Sequence, residues 1–134
     1  MGSLLGSGVR FGMQPDNPVS IMVAGEGLET IVSLRMIMPA LPMIAALSAN
    51  HLAAVVFPPV LKRLYIAVDA DPAGRHGMER LSRRARSQGI EVLTLMPRRG
   101  DFNDDLRHLG PEILAEGLVG QLIPGDATQF LQAA

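Results

Sequence analysis

The strongest constraint on this chain is a repeated alternation of short, β-branched apolar runs with segments of helical spacing. Val19 to Ala24 (VSIMVA) sits between Pro18 and Gly25 and reads as a strand buried on both faces. Apolar residues at 28, 31, 32, 34, 37 and 38 then follow a helical rhythm that Pro39 stops. Met43 to Leu47 is a second apolar run, while Leu52 to Phe57 fits either a turn of helix or an edge strand. Lys62 to Val68 (KRLYIAV) is the clearest strand and ends abruptly in Asp69-Ala70-Asp71-Pro72-Ala73-Gly74. Residues 75–88 form a helix with Met78, Leu81 and Ala85 on one face and Gly89 as its stop. Val92 to Met96 is a further strand, followed by a short helix reaching His108 and another from Glu112 to about Leu122. Such alternation implies parallel β-α-β units with right-handed crossovers. The expected fold is an α/β sandwich around a small, mainly parallel four-stranded sheet flanked by helices.

At 134 residues, 48% of them apolar, the chain fits one domain with a core that needs no staple. It has no cysteine, which excludes disulfides, thiolate metal sites and a thiol nucleophile. The longest apolar stretch, Met36 to Leu47, is too short to cross a bilayer and is interrupted by Pro39 and Pro42. The N-terminus lacks the basic and apolar regions of a secretory signal, so a cytoplasmic location and no membrane partner are expected. Residues 1–17 read as a leader or a remnant of an upstream domain and are set outside the fold. Only 4% of residues are aromatic, so any nucleic acid would be held through its phosphates, not by stacking.

Polar residues gather just after the strands: Glu26, Ser48 with Asn50, Asp69 with Asp71, and Asp101 with Asp104. In open α/β sheets ligands bind at the carboxyl ends of the strands, so four strand ends can build one acidic site. Two carboxylates at i and i+2 of an extended segment point to one side, and magnesium asks for little more than that plus water and phosphate oxygens. Acids converging without a cation would repel one another, which argues for a metal. Glu26, between a strand and a helix, is either a helix N-terminal group or a functional residue. Glu29 reads as a helix-dipole residue, Tyr65 as core, and His51, His76 and His108 as surface or turn residues without metal-ligand spacing.

Between Ala73 and Gly100 there are seven arginines and two glutamates, a local net charge of +5 in a chain whose net charge is −1. Arg75, Arg80, Arg83, Arg84, Arg98 and Arg99 are therefore either a solvated face or a phosphate-tracking ridge beside the acids.

VAGEGLET after the first of these strands, IAVDADPAG after the third and GDFNDDL after the fourth resemble the Toprim domain of primases, topoisomerases and some nucleases. The likeness is strongest to modules of phage- and plasmid-type primase or primase-helicase proteins. It covers residues 18–124, leaving 125–134 as a C-terminal tail, and implies a three-layer sandwich. The resemblance implies that Glu26 is the general acid or base and that Asp69 and Asp71 bind Mg2+, or Mn2+, with Asp101 as a further acid. Asn103, Asp104, Ser48 and Asn50 would line the same site. Two positions depart from the primase pattern: Thr30 stands where relatives often carry an acid, and Gly100 where they carry a lysine, with Arg99 beside it.

The expected function is a Mg-dependent catalytic module of a primase-like DNA replication protein, acting on DNA or nucleoside triphosphates alongside other domains of a parent polypeptide. A non-catalytic DNA-binding or assembly module and a Toprim nuclease are the alternatives. A haloacid-dehalogenase phosphatase fits poorly, because Ala73 stands where its motif requires threonine.

Overall fold

A computed structural model describes residues 8–13, 16–69 and 72–131. In chain order the elements are β1 (Gly8–Phe11), β2 (Ile21–Glu26), α1 (Leu28–Ile37), β3 (Met43–Ala46), α2 (Ala49–Ala53), β4 (Arg63–Ala67), α3 (Pro72–Ser87), β5 (Glu91–Leu95), α4 (Phe102–Val119) and α5 (Pro124–Phe130). The described strands form one sheet in the order β1-β3-β2-β4-β5. β2, β3, β4 and β5 are mutually parallel, and β1 pairs antiparallel to β3 at one edge.

The period-two geometry of strands explains why the central strands read as continuous apolar runs. Val23, Met43, Ala45, Tyr65 and Ala67 enter one core with α1, α4 and α5. Their neighbours Met22, Ala24, Ile44, Ala46, Leu64 and Ile66 enter a second core on the opposite face. There they meet Leu52 of α2 and Leu81 and Ala85 of α3. Helices on both faces bury both sides of the parallel strands, so no polar alternation survives in the sequence. The three-layer sandwich is as expected.

The sheet has five strands rather than four. The additional one, β1, comes from the N-terminal stretch that the sequence reading set aside, and it pairs Gly8 through Phe11 with Ala46 through Met43. The stretch read as a tail likewise begins inside α5, where Asp126 and Phe130 are buried. Of the Leu52 to Phe57 stretch, Leu52 and Ala53 end the short helix α2, and residues 55–57 form neither helix nor strand. The two helices expected after residue 101 form α4, bent where Gly110 leaves helical geometry ahead of Pro111.

Arg84 of α3 fastens the α2–β4 connection. Its guanidinium donates to the Val55 carbonyl and stacks 4.5 Å over the Phe57 ring. Burial lowers its pKa from the ordinary arginine value. Arg84→Met keeps much of the stem packing but orphans the Val55 carbonyl. It is expected to lower stability by about 1–3 kcal/mol, read as a shift in urea midpoint; an unchanged midpoint would show that the contact contributes nothing.

Candidate functional site

Because β2 through β5 run parallel, their C-terminal ends form a single rim of the sheet. Glu26 is the last residue of β2. Gly27 follows with φ +90°, a conformation that disfavours any side chain, and turns the chain directly into α1. Its N–H still reaches the Ala46 carbonyl of β3 at 2.9 Å, so the turn is anchored to the sheet. This supplies a physical reason for a glycine immediately after the glutamate.

One strand over, Ala67 of β4 pairs with Gly25, and Val68 continues the ladder by donating to Leu95 of β5 at 2.9 Å. Asp69 therefore leaves the sheet at the same rim as Glu26. Thr30, buried in the first turn of α1, donates its hydroxyl to Asp69 Oδ1 at 3.1 Å. The residue that departs from the primase pattern thus orients an acid instead of adding one. Ala70 and Asp71, the second aspartate of the pair, lie outside the described residues.

After β5 the chain turns into α4 through two carboxylates and an amide with separate tasks. Asp101 caps the helix, accepting from the Asp104 N–H at 2.7 Å. Asp105, 1% exposed, accepts from the backbone N–H groups of Arg98 at 2.7 Å and Arg99 at 2.9 Å, which holds the loop closed. Asn103 donates to Glu29 Oε2 at 3.3 Å and ties the start of α4 to the start of α1. The role of Asp105 is not legible in the sequence. An acid four residues after a capping aspartate was the available signal, but its backbone partners precede it and cannot be read from spacing.

On the other side of Glu26, the loop after β3 and the first turns of α3 enclose a recess of about 440 Å³ lined by Glu26, Ser48, Ala49, Asn50, His76, Gly77 and Arg80. Ser48 caps α2, accepting from the His51 N–H at 3.2 Å, and its Oγ lies 2.7 Å from His51 Nδ1. Its hydroxyl is thereby engaged within its own turn. Asn50, His76 and Arg80 are exposed.

The arginines do not form one continuous ridge. Arg75, Arg80 and Arg83 are exposed along α3, whereas Arg84 is turned onto Val55 and Phe57. Arg99 is exposed after β5, and the Arg98 side chain lies against α4 at Gly117.

Among the described residues no group of three His, Cys, Asp or Glu side chains could hold a metal ion. Glu26 and Asp69 nevertheless present hard oxygen donors from adjacent strand ends. That donor set fits a magnesium ion, which commonly takes one or two protein carboxylates and completes its shell with water and phosphate. No described helix is long and apolar enough to cross a membrane.

A family model for the Toprim domain matches residues 21–112, more than half of the chain. The chain belongs to the Toprim-domain family. Toprim domains generally bind divalent metal ions such as Mg2+. Comparison with curated proteins gave no match. Among solved structures the fold is similar to that of the Aquifex aeolicus primase, in a crystal structure of its zinc-binding and RNA polymerase domains. The similarity has a TM-score of 0.55 at 22% identity over 77% of this chain. The chain spans 26% of that primase chain.

Proposed function

We propose that this chain is the Toprim catalytic module of a primase-like DNA replication protein, of the phage or plasmid primase-helicase type. It would carry out Mg-dependent nucleotidyl transfer together with other domains of a cytoplasmic parent polypeptide. The observation that carries this reading is the placement of Glu26 and Asp69 at the ends of adjacent parallel strands, with Asp69 oriented by Thr30.

Asp69 would hold the cation, with Asp71 as the further aspartate of the motif and Asp101 at the neighbouring strand end, which leaves Glu26 for proton transfer. A bound divalent ion supplies charge neutralisation for the reacting phosphate. Glu26 accepts the proton of an attacking 3′-hydroxyl as the new P–O bond forms and pyrophosphate departs. Thr30 keeps Asp69 in one rotamer, so the carboxylate does not have to reorganise as charge develops. Arg99, exposed beside the rim, offers a cation to the strand.

Calorimetric titration of Mg2+ and Mn2+ into the wild type and Asp69→Ala tests the reading. At least a tenfold loss of affinity in the variant is expected, and equal binding by both chains would rule out the metal assignment. Nucleotidyl transfer by the full parent polypeptide should fall by about a hundredfold or more in Glu26→Gln.

The exposed arginines of α3 favour one second reading, a non-catalytic DNA-binding module. It predicts salt-sensitive DNA binding that survives Glu26→Gln and weakens when Arg75 and Arg83 are neutralised. Binding unchanged in the neutralised variants would remove it.

A further inference from the structure

We propose that Gln121 guards the open edge of the sheet: its side-chain amide takes the place of a neighbouring strand residue and keeps β5 from pairing with a second copy of this chain. β5 is the last strand in the sheet order and is bonded to β4 on one side only. The Glu91 N–H donates to the Lys62 carbonyl and the Leu95 carbonyl accepts from the Val68 N–H, each at 2.9 Å, so the odd-numbered residues of β5 direct their backbone groups at β4. By the two-residue period of a strand, the N–H and C=O groups of Val92, Thr94 and Met96 point outward. Among the described residues nothing bonds those of Val92 and Thr94. Met96 is the exception.

Gln121 lies just beyond the end of α4 and reaches back to this edge. Its Oε1 accepts from the Met96 N–H at 2.6 Å, and its Nε2 donates to the Met96 carbonyl at 3.1 Å. One acceptor and one donor turned to the same residue is what an antiparallel neighbour strand offers. Nε2 also donates to the Gly117 carbonyl at 3.0 Å, so both amide hydrogens are used. A flipped amide would set its nitrogen against the Met96 N–H and its oxygen against two carbonyls, and the partners therefore admit one orientation.

An unpaired strand edge is a template for strand addition. A second copy running antiparallel about a two-fold axis at Thr94 would place Thr94 opposite itself and Val92 opposite Met96 at both ends. With Gln121 on Met96 both end pairs are lost, and a lone Thr94 pair cannot hold two chains together. Met96 is 54% exposed, so water would satisfy its backbone as it does at Val92 and Thr94; hydrogen-bond satisfaction alone does not call for a side chain here. At the other end of the strand, exposed Glu91 is ion-paired to Arg63 at 2.7 Å, and Pro97 after Met96 has no N–H to offer. A charge, a proline and a bound amide thus shorten the edge from both ends.

Sedimentation velocity over a concentration series is run on the 134-residue chain as wild type, Gln121→Ala and Gln121→Met, and on each variant combined with Thr94→Pro, with folding checked by circular dichroism. Gln121→Met keeps the length of the side chain but neither bond to Met96. Thr94→Pro removes only an outward N–H, so it blocks the edge without breaking the ladder to β4. Self-association is expected to tighten about tenfold or more in both Gln121 variants and to return to the wild-type level with Thr94→Pro. Gln121 variants that associate no more than wild type overturn the guard. Association that persists with Thr94→Pro overturns it too, since it would come from loosened packing and not from the edge. In the wild type, amide hydrogen exchange should be slower at Met96 than at Val92 and Thr94; equal rates overturn the proposal even where neither variant folds.

Discussion

Replacing Asp126 with alanine is expected to destabilise the fold by about 3 kcal/mol, toward the lower end of values for breaking a buried charge pair. Asp126 sits in α5 with a side chain only 6% exposed. It accepts from Arg63 Nη1 at 2.8 and 3.0 Å and from the Tyr65 hydroxyl at 2.5 Å. Ile123 N–H donates to the same hydroxyl at 3.0 Å, which joins the start of α5 to the middle of β4. Alanine would leave the Tyr65 hydroxyl buried without its acceptor and Arg63 with Glu91 alone, at 2.7 Å. Asp126→Asn retains an acceptor for Tyr65 and should lose about half as much. Urea denaturation followed by circular dichroism gives both values; a loss under 1 kcal/mol for alanine would show that α5 is held by apolar packing alone.

The same cluster carries a pH dependence. Burial, and then the hydrogen bond to Asp126, push the Tyr65 pKa up to about 12 from its ordinary value of 10.0. The folded state therefore holds this proton more tightly than the unfolded chain does. Its stabilisation is complete below pH 10 and is lost as pH rises toward 12. Tyr65→Phe should flatten that alkaline decline, and an identical decline in both chains would assign it to other groups.

The second large effect is expected at Asp105. Asp105→Ala leaves two inward-facing backbone N–H groups, those of Arg98 and Arg99, without their acceptors. The expected cost is about 2–4 kcal/mol, and the loop from residue 96 to 101 should become the first site of proteolytic cleavage. Asp105→Asn keeps one acceptor and should fall between the two chains. If alanine leaves both the urea midpoint and the cleavage pattern unchanged, the carboxylate does not organise this loop.

What the sequence discloses and what it hides divides along physical lines. The runs around 19–24 and 62–68 were legible as strands because two-sided burial forces continuous apolar character on them; the edge strand at 92–96 is only partly buried and was legible from its Val and Leu content before Pro97. Glu26 and Asp69 were legible as site candidates because a parallel sheet places strand-terminal polar residues at one rim. β1 was not, since Gly8-Val9-Arg10-Phe11 is partly exposed and is defined by pairing to β3, from Phe11 opposite Met43 to Gly8 opposite Ala46, not by its own pattern. Strand count was underestimated for that reason. The Arg63–Tyr65–Asp126 cluster spans about 60 residues of sequence, and no local spacing announces it. His76 was read as a surface residue and is exposed, whereas the tight approach of Gly77 to Ala49 exists only in three dimensions. Arg84 shows the opposite error, a cation counted with a ridge whose head group serves the interior.

The direction of β1 settles how anything attached to this unit is presented. Gly8 pairs with Ala46, at the acidic end of the sheet, and the strand runs from there toward Phe11 opposite Met43. A dye, affinity handle or fused protein joined ahead of Gly8 is consequently tethered close to Glu26 and Ser48. One joined after α5, which is clamped to Arg63 at the start of β4, departs from the far end. Labels intended to report on ligand arrival belong ahead of β1, and anchors for immobilisation belong behind α5.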